Sequence, residues 1–146
     1  MLKINLITIG TIKEQFFKDA IDEYKKRISR FAKLEIVELK EKPTLDDEAS
    51  DIILKLKGYK FAMCVEGTII SSEELASKIK KISVEGTSEI SFVIGSSNGL
   101  SDKVKTICDE KISFGRVTFP HQLMRVILTE QIYRAMTINN NITYHK

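Results

Sequence analysis

Metal and redox chemistry have little to work with in this chain. It holds two cysteines, Cys64 and Cys108, and two histidines, His121 and His145. The cysteines lie in apolar stretches without C-x-x-C spacing, and the histidines lack H-E-x-x-H spacing, so neither a zinc centre nor a dithiol pair is expected. Both thiols read as small buried hydrophobes. No apolar run approaches the roughly 20 residues that a membrane helix requires. The opening "MLKINLITIGTIKEQFF" has no charged leader and no small-residue cleavage site, which predicts a cytoplasmic protein. Neither G-x-G-x-x-G nor a Gly-Lys-Ser/Thr loop is present, so phosphate cradling is poorly supported. With 23 basic and 20 acidic residues the net charge is +3, too mild to mark a nucleic-acid binder by itself. There is no repeat, low-complexity tract or boundary signal. The 146 residues therefore read as one domain, 1–146, burying roughly two thirds of its unfolded surface.

What is present alternates between two periods. "KINLITI" reads as a buried strand, and Phe16, Phe17, Ala20, Ile21, Tyr24, Ile28 and Phe31 follow at helical spacing. "LEIVEL", "KFAMCV", "ISFVIG" and "KISFG" are further strands. Thr44 is placed to cap a helix running through "IILKLK", and Ser71 with Glu74 resembles a capping box for "EELASKIKKI". Ser101 caps another helix at "DKVKTICDEK". The acidic connector "KEKPTLDDEASD" is the best candidate for a mobile loop. Strands alternating with helices predict an α/β domain with a largely parallel sheet, whose ligands sit beyond the carboxyl ends of the strands. Gly67, Gly95 and Gly115 each follow a strand at that edge, so their turns are expected to converge on one pocket. An ordinary βα connection remains the bland alternative for each.

Two further features carry chemistry. Lys25, Lys26, Arg27, Arg30 and Lys33 cluster in "YKKRISRFAK", suited either to phosphates or simply to a solvated helix end. After Pro120, "QLMRVILTEQIYRAMTI" is apolar nearly all round, which predicts cover on more than one side, by a partner subunit or by the core itself. Glu130 and Arg134 are spaced for a helix-surface pair. Arg125, amid apolar residues, must snorkel to water or reach a carboxylate, carbonyl or phosphate near the glycine turns. The end, "NNNITYHK", has the composition of a fraying tail, yet Tyr144, His145 and Lys146 are a set suited to gripping a flipped base.

With "FVIGSSNGL", "TFPHQLMRVILTEQIYRA" and the terminal "YHK", the chain resembles the RlmH family, small SPOUT-superfamily methyltransferases acting on large-subunit ribosomal RNA. The likeness runs from "INLITIGTIKE" to the last residue. Ser96 stands where the family often has a second glycine, and the linker around Pro43 looks shorter than in some members. The resemblance implies S-adenosylmethionine-dependent methylation at N3 of a pseudouridine on the assembled ribosome. It also implies a parallel-sheet α/β fold with a trefoil knot, and an obligate homodimer. Carried over by motif, the cofactor is expected at Met63, Gly95, Phe114, Gly115, Arg116, Val117, Thr118 and Phe119.

A sulfonium methyl is already electrophilic, so the protein needs mainly to align the nucleophile and help remove its proton. Met63, Leu100, Phe119 and Leu123 are expected as apolar walls. His145, His121 or water is the expected proton acceptor, and Arg125 is expected to orient the base or stabilise its developing oxyanion. Tyr144 joins them as a candidate contact to the base, with the tail of one subunit completing the site of the other. Two rival classes remain at this level: a non-catalytic ribosome-binding or assembly factor, and a flavodoxin-like mononucleotide protein, the latter weakened by the missing phosphate loop.

Overall fold

The computed structural model describes residues 1–146. Ten elements follow in order: β1 (Leu2–Ile9), α1 (Gln15–Ile28), β2 (Ala32–Leu39), α2 (Leu45–Lys55), β3 (Tyr59–Ile69), α3 (Ser72–Val84), β4 (Glu89–Ile94), α4 (Asp102–Ile107), β5 (Glu110–Ser113) and α5 (His121–Asn139). The five strands form one sheet in the order β2-β1-β4-β3-β5, with every pairing parallel. The predicted strands and parallel sheet are therefore observed.

Two apolar layers explain the near-continuous hydrophobic strands. On one face Ile4, Leu6, Phe61, Phe92, Ile94 and Ile112 pack with Ile28, Leu75, Ile79, Leu128 and Ile132 of α1, α3 and α5. On the other, Ile7, Ile9, Ala62 and Val93 pack with Ala49, Ile52 and Val104 of α2 and α4. A strand covered on both faces has no polar side to show, which is why β4 reads "ISFVI" rather than alternating. Its buried polar residue is satisfied: the Ser91 hydroxyl donates to the Lys57 carbonyl at 2.7 Å and accepts from the Lys57 amide at 3.1 Å.

The expectation of a mobile loop at residues 40–51 is corrected here. Thr44 caps α2 by accepting from the Asp47 amide, and the buried Glu48 carboxylate accepts from the Lys42 amide, closing the turn before it. Acidic residues at a helix N-terminus are stabilised there rather than disordering it, since they complement the unpaired amides and the dipole. The Ser71–Glu74 capping box forms as expected. The α4 helix stops at Ile107, shorter than its sequence pattern, because β5 begins at Glu110 and pairs with β3. Phe16, expected on the apolar stripe of α1, is exposed. The largest departure is in β3, which runs past Gly67 instead of ending there. Both Met63 and Thr68 register with Ile112, so Cys64–Gly67 forms a bulge.

Candidate functional site

A cavity of 560 Å³ opens at the carboxyl ends of β3, β4 and β5, closed below by the start of α5. That volume lies within the usual range of small-molecule sites. Gly95 shapes one wall. A Cβ there would lie 2.3 Å from the Gly99 carbonyl oxygen, so only glycine lets the Ser96–Gly99 turn fold back on the strand end. The opposite wall is the stretch leaving β5, where the Ser113 hydroxyl donates to the Gly115 carbonyl and accepts from its amide. The floor is apolar, with Met63, Ile94, Leu100, Ile112, Phe119 and Met124 among its residues.

Of the eight residues expected around a cofactor, Met63, Gly95, Phe114, Gly115, Val117, Thr118 and Phe119 line this cavity. Arg116 does not. Its guanidinium donates to the carbonyls of Val65 and Gly67, holding the β3 bulge in place. Gly67 is likewise behind the cavity rather than in it: a Cβ there would lie 2.8 Å from the Ile112 backbone, so the residue permits the close pass of β5. The expected convergence of three glycine turns thus reduces to two, at Gly95 and Gly115, because Gly67 sits inside a strand. Leu123, expected as a wall, faces elsewhere, and Met124 takes that place.

The four residues expected to handle the reacting base are not brought together within one chain. His121 lines the cavity. Arg125 is not among the lining residues and makes structural contacts elsewhere in this chain. Its side chain is 1% exposed, and its guanidinium donates to Glu38 at 2.9 Å, Ile9 O at 2.6 Å and Gly10 O at 3.0 Å. Of the fates open to a buried arginine it takes a carboxylate and carbonyls, at the β1–α1 turn rather than at the cavity. Burial pushes its pKa down, and Glu38 opposes that shift.

Tyr144 and His145 dock on α5 and α3. The Tyr144 hydroxyl donates to Glu130 at 3.2 Å, its ring meets Tyr133 edge-on at 4.7 Å, and the Arg134 guanidinium lies over it at 4.8 Å. Burial, then Glu130, push this phenol up to about 12, so it is a neutral donor at physiological pH. Arg134 donates to Nδ1 of His145 at 3.0 Å, and Nε2 contacts Glu73 at 2.5 Å. An arginine is only a donor, which assigns Nδ1 as acceptor and Nε2 as the protonated nitrogen facing the carboxylate. Docked in this way, His145 has both ring nitrogens engaged and is not among the residues lining the cavity. The tail is tied down rather than frayed.

Among the lining residues that sequence reasoning missed are Cys64, Val65 and Glu66 from the bulge, and Lys105 from α4. Lys105 pairs with Glu66 at 2.5 Å. Their mutual hydrogen bond is the main cause that holds the carboxyl of Glu66 below its ordinary range and raises the ammonium of Lys105. Burial raises the Cys64 thiol and takes Cys108 to about 11, so both stay protonated. No local signal marks the bulge, because a strand pattern does not say where pairing slips.

Comparison with known proteins follows the same lines. A family described as "Predicted SPOUT methyltransferase" matches residues 2–145. The chain is 45% identical over 160 aligned positions to Ribosomal RNA large subunit methyltransferase H of Oenococcus oeni, covering 100% of both. It is 46% identical to the putative ribosomal RNA large subunit methyltransferase H of Methanococcus maripaludis and 42% to its Streptococcus pneumoniae counterpart, each across 99% of this chain and 100% of the other. Among solved structures, a probable methylase family protein from Haemophilus influenzae Rd KW20 aligns with a TM-score of 0.58 at 14% identity, over 98% of this chain and 70% of that one. TrmJ from Z. mobilis ZM4 aligns at 0.50 and 13%, over 94% and 70%. At such identities the two structures bear on the fold alone.

Proposed function

This chain belongs to the RlmH family of SPOUT methyltransferases, and from that membership we propose that it methylates large-subunit ribosomal RNA with S-adenosylmethionine as methyl donor. The finer reading is N3 of a pseudouridine on the assembled ribosome, reached by a cytoplasmic homodimer. The observation that carries it is the 560 Å³ cavity, lined by seven of the eight residues the family motif points to.

The residues fit the donor. Met63, Ile94, Leu100 and Phe119 offer apolar surface to an adenine, and the Gly95–Gly99 and Ser113–Gly115 turns bring backbone groups to its edges. When bound, the donor supplies an electrophilic sulfonium methyl. The chain's own task is to orient the nucleotide, exclude water and accept a proton; orientation alone contributes roughly 7 kcal/mol or more when geometry is good.

His121, which lines the cavity, is the candidate proton acceptor within one chain. Tyr144 and His145 act after leaving their dock, in the site of the partner subunit. Support for the dimer comes from the partly exposed apolar stripe Leu123, Val126 and Ile127 on α5, and from the exposed Val117 of the cavity lining. The basic stretch from the end of α1 into β2, with Lys25, Lys26, Arg30 and Lys33 exposed, is the surface offered to phosphates. Mass spectrometry of ribosomal RNA from cells lacking the protein tests the reading. One missing methyl on a pseudouridine is expected. An unchanged methylation map points to a non-catalytic ribosome-binding factor.

A further inference from the structure

Lys105 and Glu66 are the formally charged residues of the cavity lining, which is otherwise apolar, small or neutral apart from His121. Both elements bearing them are arranged to make them meet. Glu66 is carried to the cavity rim by the β3 bulge, which Arg116 pins through the carbonyls of Val65 and Gly67. Lys105 comes from the last turn of α4, 39 residues away in sequence, with its side chain 21% exposed against 58% for Glu66. Charges on the wall of an apolar cavity are costly unless paired. In the ligand-free chain they pair with each other, and the shifts of both groups keep both ionised.

An anion and a cation side by side on one rim match a ligand that carries both signs at one end. The methionine part of the methyl donor is such an end, with one carboxylate and one ammonium on the same carbon. We infer that Lys105 and Glu66 are the receptor for this amino-acid end, Lys105 pairing with the carboxylate and Glu66 with the ammonium. Binding then exchanges one internal ion pair for two across the ligand. The pair makes the cavity selective for donors with an intact amino acid over truncated nucleosides. The inference rests on the methyl-donor reading of the cavity and specifies which end of the donor lies at the bulge.

Calorimetry with two ligands separates this from a plain surface ion pair. S-adenosylhomocysteine keeps the amino-acid end and lacks the sulfonium charge, so Glu66 is read only against the ammonium. Methylthioadenosine keeps adenine, ribose and sulfur but lacks the amino acid. The variants are Lys105→Met and Glu66→Gln, both at partly exposed positions, and retained methylthioadenosine binding reports that the cavity is folded. For S-adenosylhomocysteine, Lys105→Met is expected to weaken binding about tenfold and Glu66→Gln about threefold, the smaller figure reflecting greater solvent screening. Methylthioadenosine is expected to bind all three proteins within about twofold. Equal losses for both ligands, or no loss for either, overturn the inference while leaving the methyltransferase reading intact. Failure of the unaltered protein to bind either S-adenosylhomocysteine or S-adenosylmethionine overturns both.

Discussion

Replacing Arg125 by Met keeps most of the side-chain volume and removes the guanidinium. Two carbonyls then lose a charged donor: Ile9 O, on a residue 1% exposed, and Gly10 O at the turn beyond. A buried acceptor left without a partner costs about 1–3 kcal/mol. Glu38 contributes less, since its side chain is 38% exposed, still accepts from the Ile12 amide at 3.1 Å and can regain water. Against these losses stands relief of the desolvation that already depresses the Arg125 pKa, and of its buried Nε, which has no partner. The balance is a destabilisation of about 2–3 kcal/mol, or roughly 5–10 °C in melting temperature for a domain of this size. Urea unfolding measures it, with the midpoint expected to fall and the slope to hold. Arg125→Lys should fall between, because one ammonium cannot span three acceptors in the planar geometry of a guanidinium. If Arg125→Met unfolds within about 0.5 kcal/mol of the parent yet loses 100-fold or more in turnover on ribosomes, the side chain touches substrate and the clamp account is wrong.

Gly95→Val places side-chain atoms against the Gly99 carbonyl, and the turn must open; S-adenosylmethionine affinity is expected to drop more than about tenfold by calorimetry, since the wall itself moves. For Glu110, burial opposes ionisation but the Lys78 ammonium at 2.7 Å and the Tyr59 hydroxyl at 2.6 Å outweigh it, so the carboxyl sits below its ordinary range. The parent should therefore exceed Glu110→Gln by about 1 kcal/mol above the unfolded carboxylate pKa of about 4.3, an advantage that disappears as pH falls through the lower folded value. Chemical denaturation across pH 3–7 reads this, and a difference that stays constant down to the lowest pH refutes it. Ile127→Glu, on the partly exposed stripe of α5, is expected to convert a dimer to monomers by light scattering while leaving the circular dichroism spectrum in place; an unchanged mass moves the interface elsewhere.

The elements were legible because their causes are local. Alternation, helical spacing and the caps at Thr44, Ser71 and Ser101 each depend on residues within a turn of one another, and all three caps form. The parallel sheet followed from the strand–helix rhythm, and the place of the cavity from the rule that such sheets bind ligands at their carboxyl edge. Two local misreadings have local reasons: the acidic run that opens α2 looks disordered by composition while satisfying a helix N-terminus, and Gly67 looks like a stop while permitting close passage.

The chain order of residues therefore determined the α/β class, the strands, the capped helices and the family motif around Gly95 and Phe114–Phe119. Folding alone decided which distant groups meet. Arg125 finds Glu38 at a separation of 87 residues, Arg116 pins Gly67 at 49, and His145 reaches Glu73 at 72. No short-range pattern encodes such encounters, since each side chain has several acceptable partners and the packing of α5 over the sheet selects one. The opposed charges of Glu66 and Lys105 belong to the same class: a slipped strand register and a short helix, unrelated in sequence, bring them to one rim.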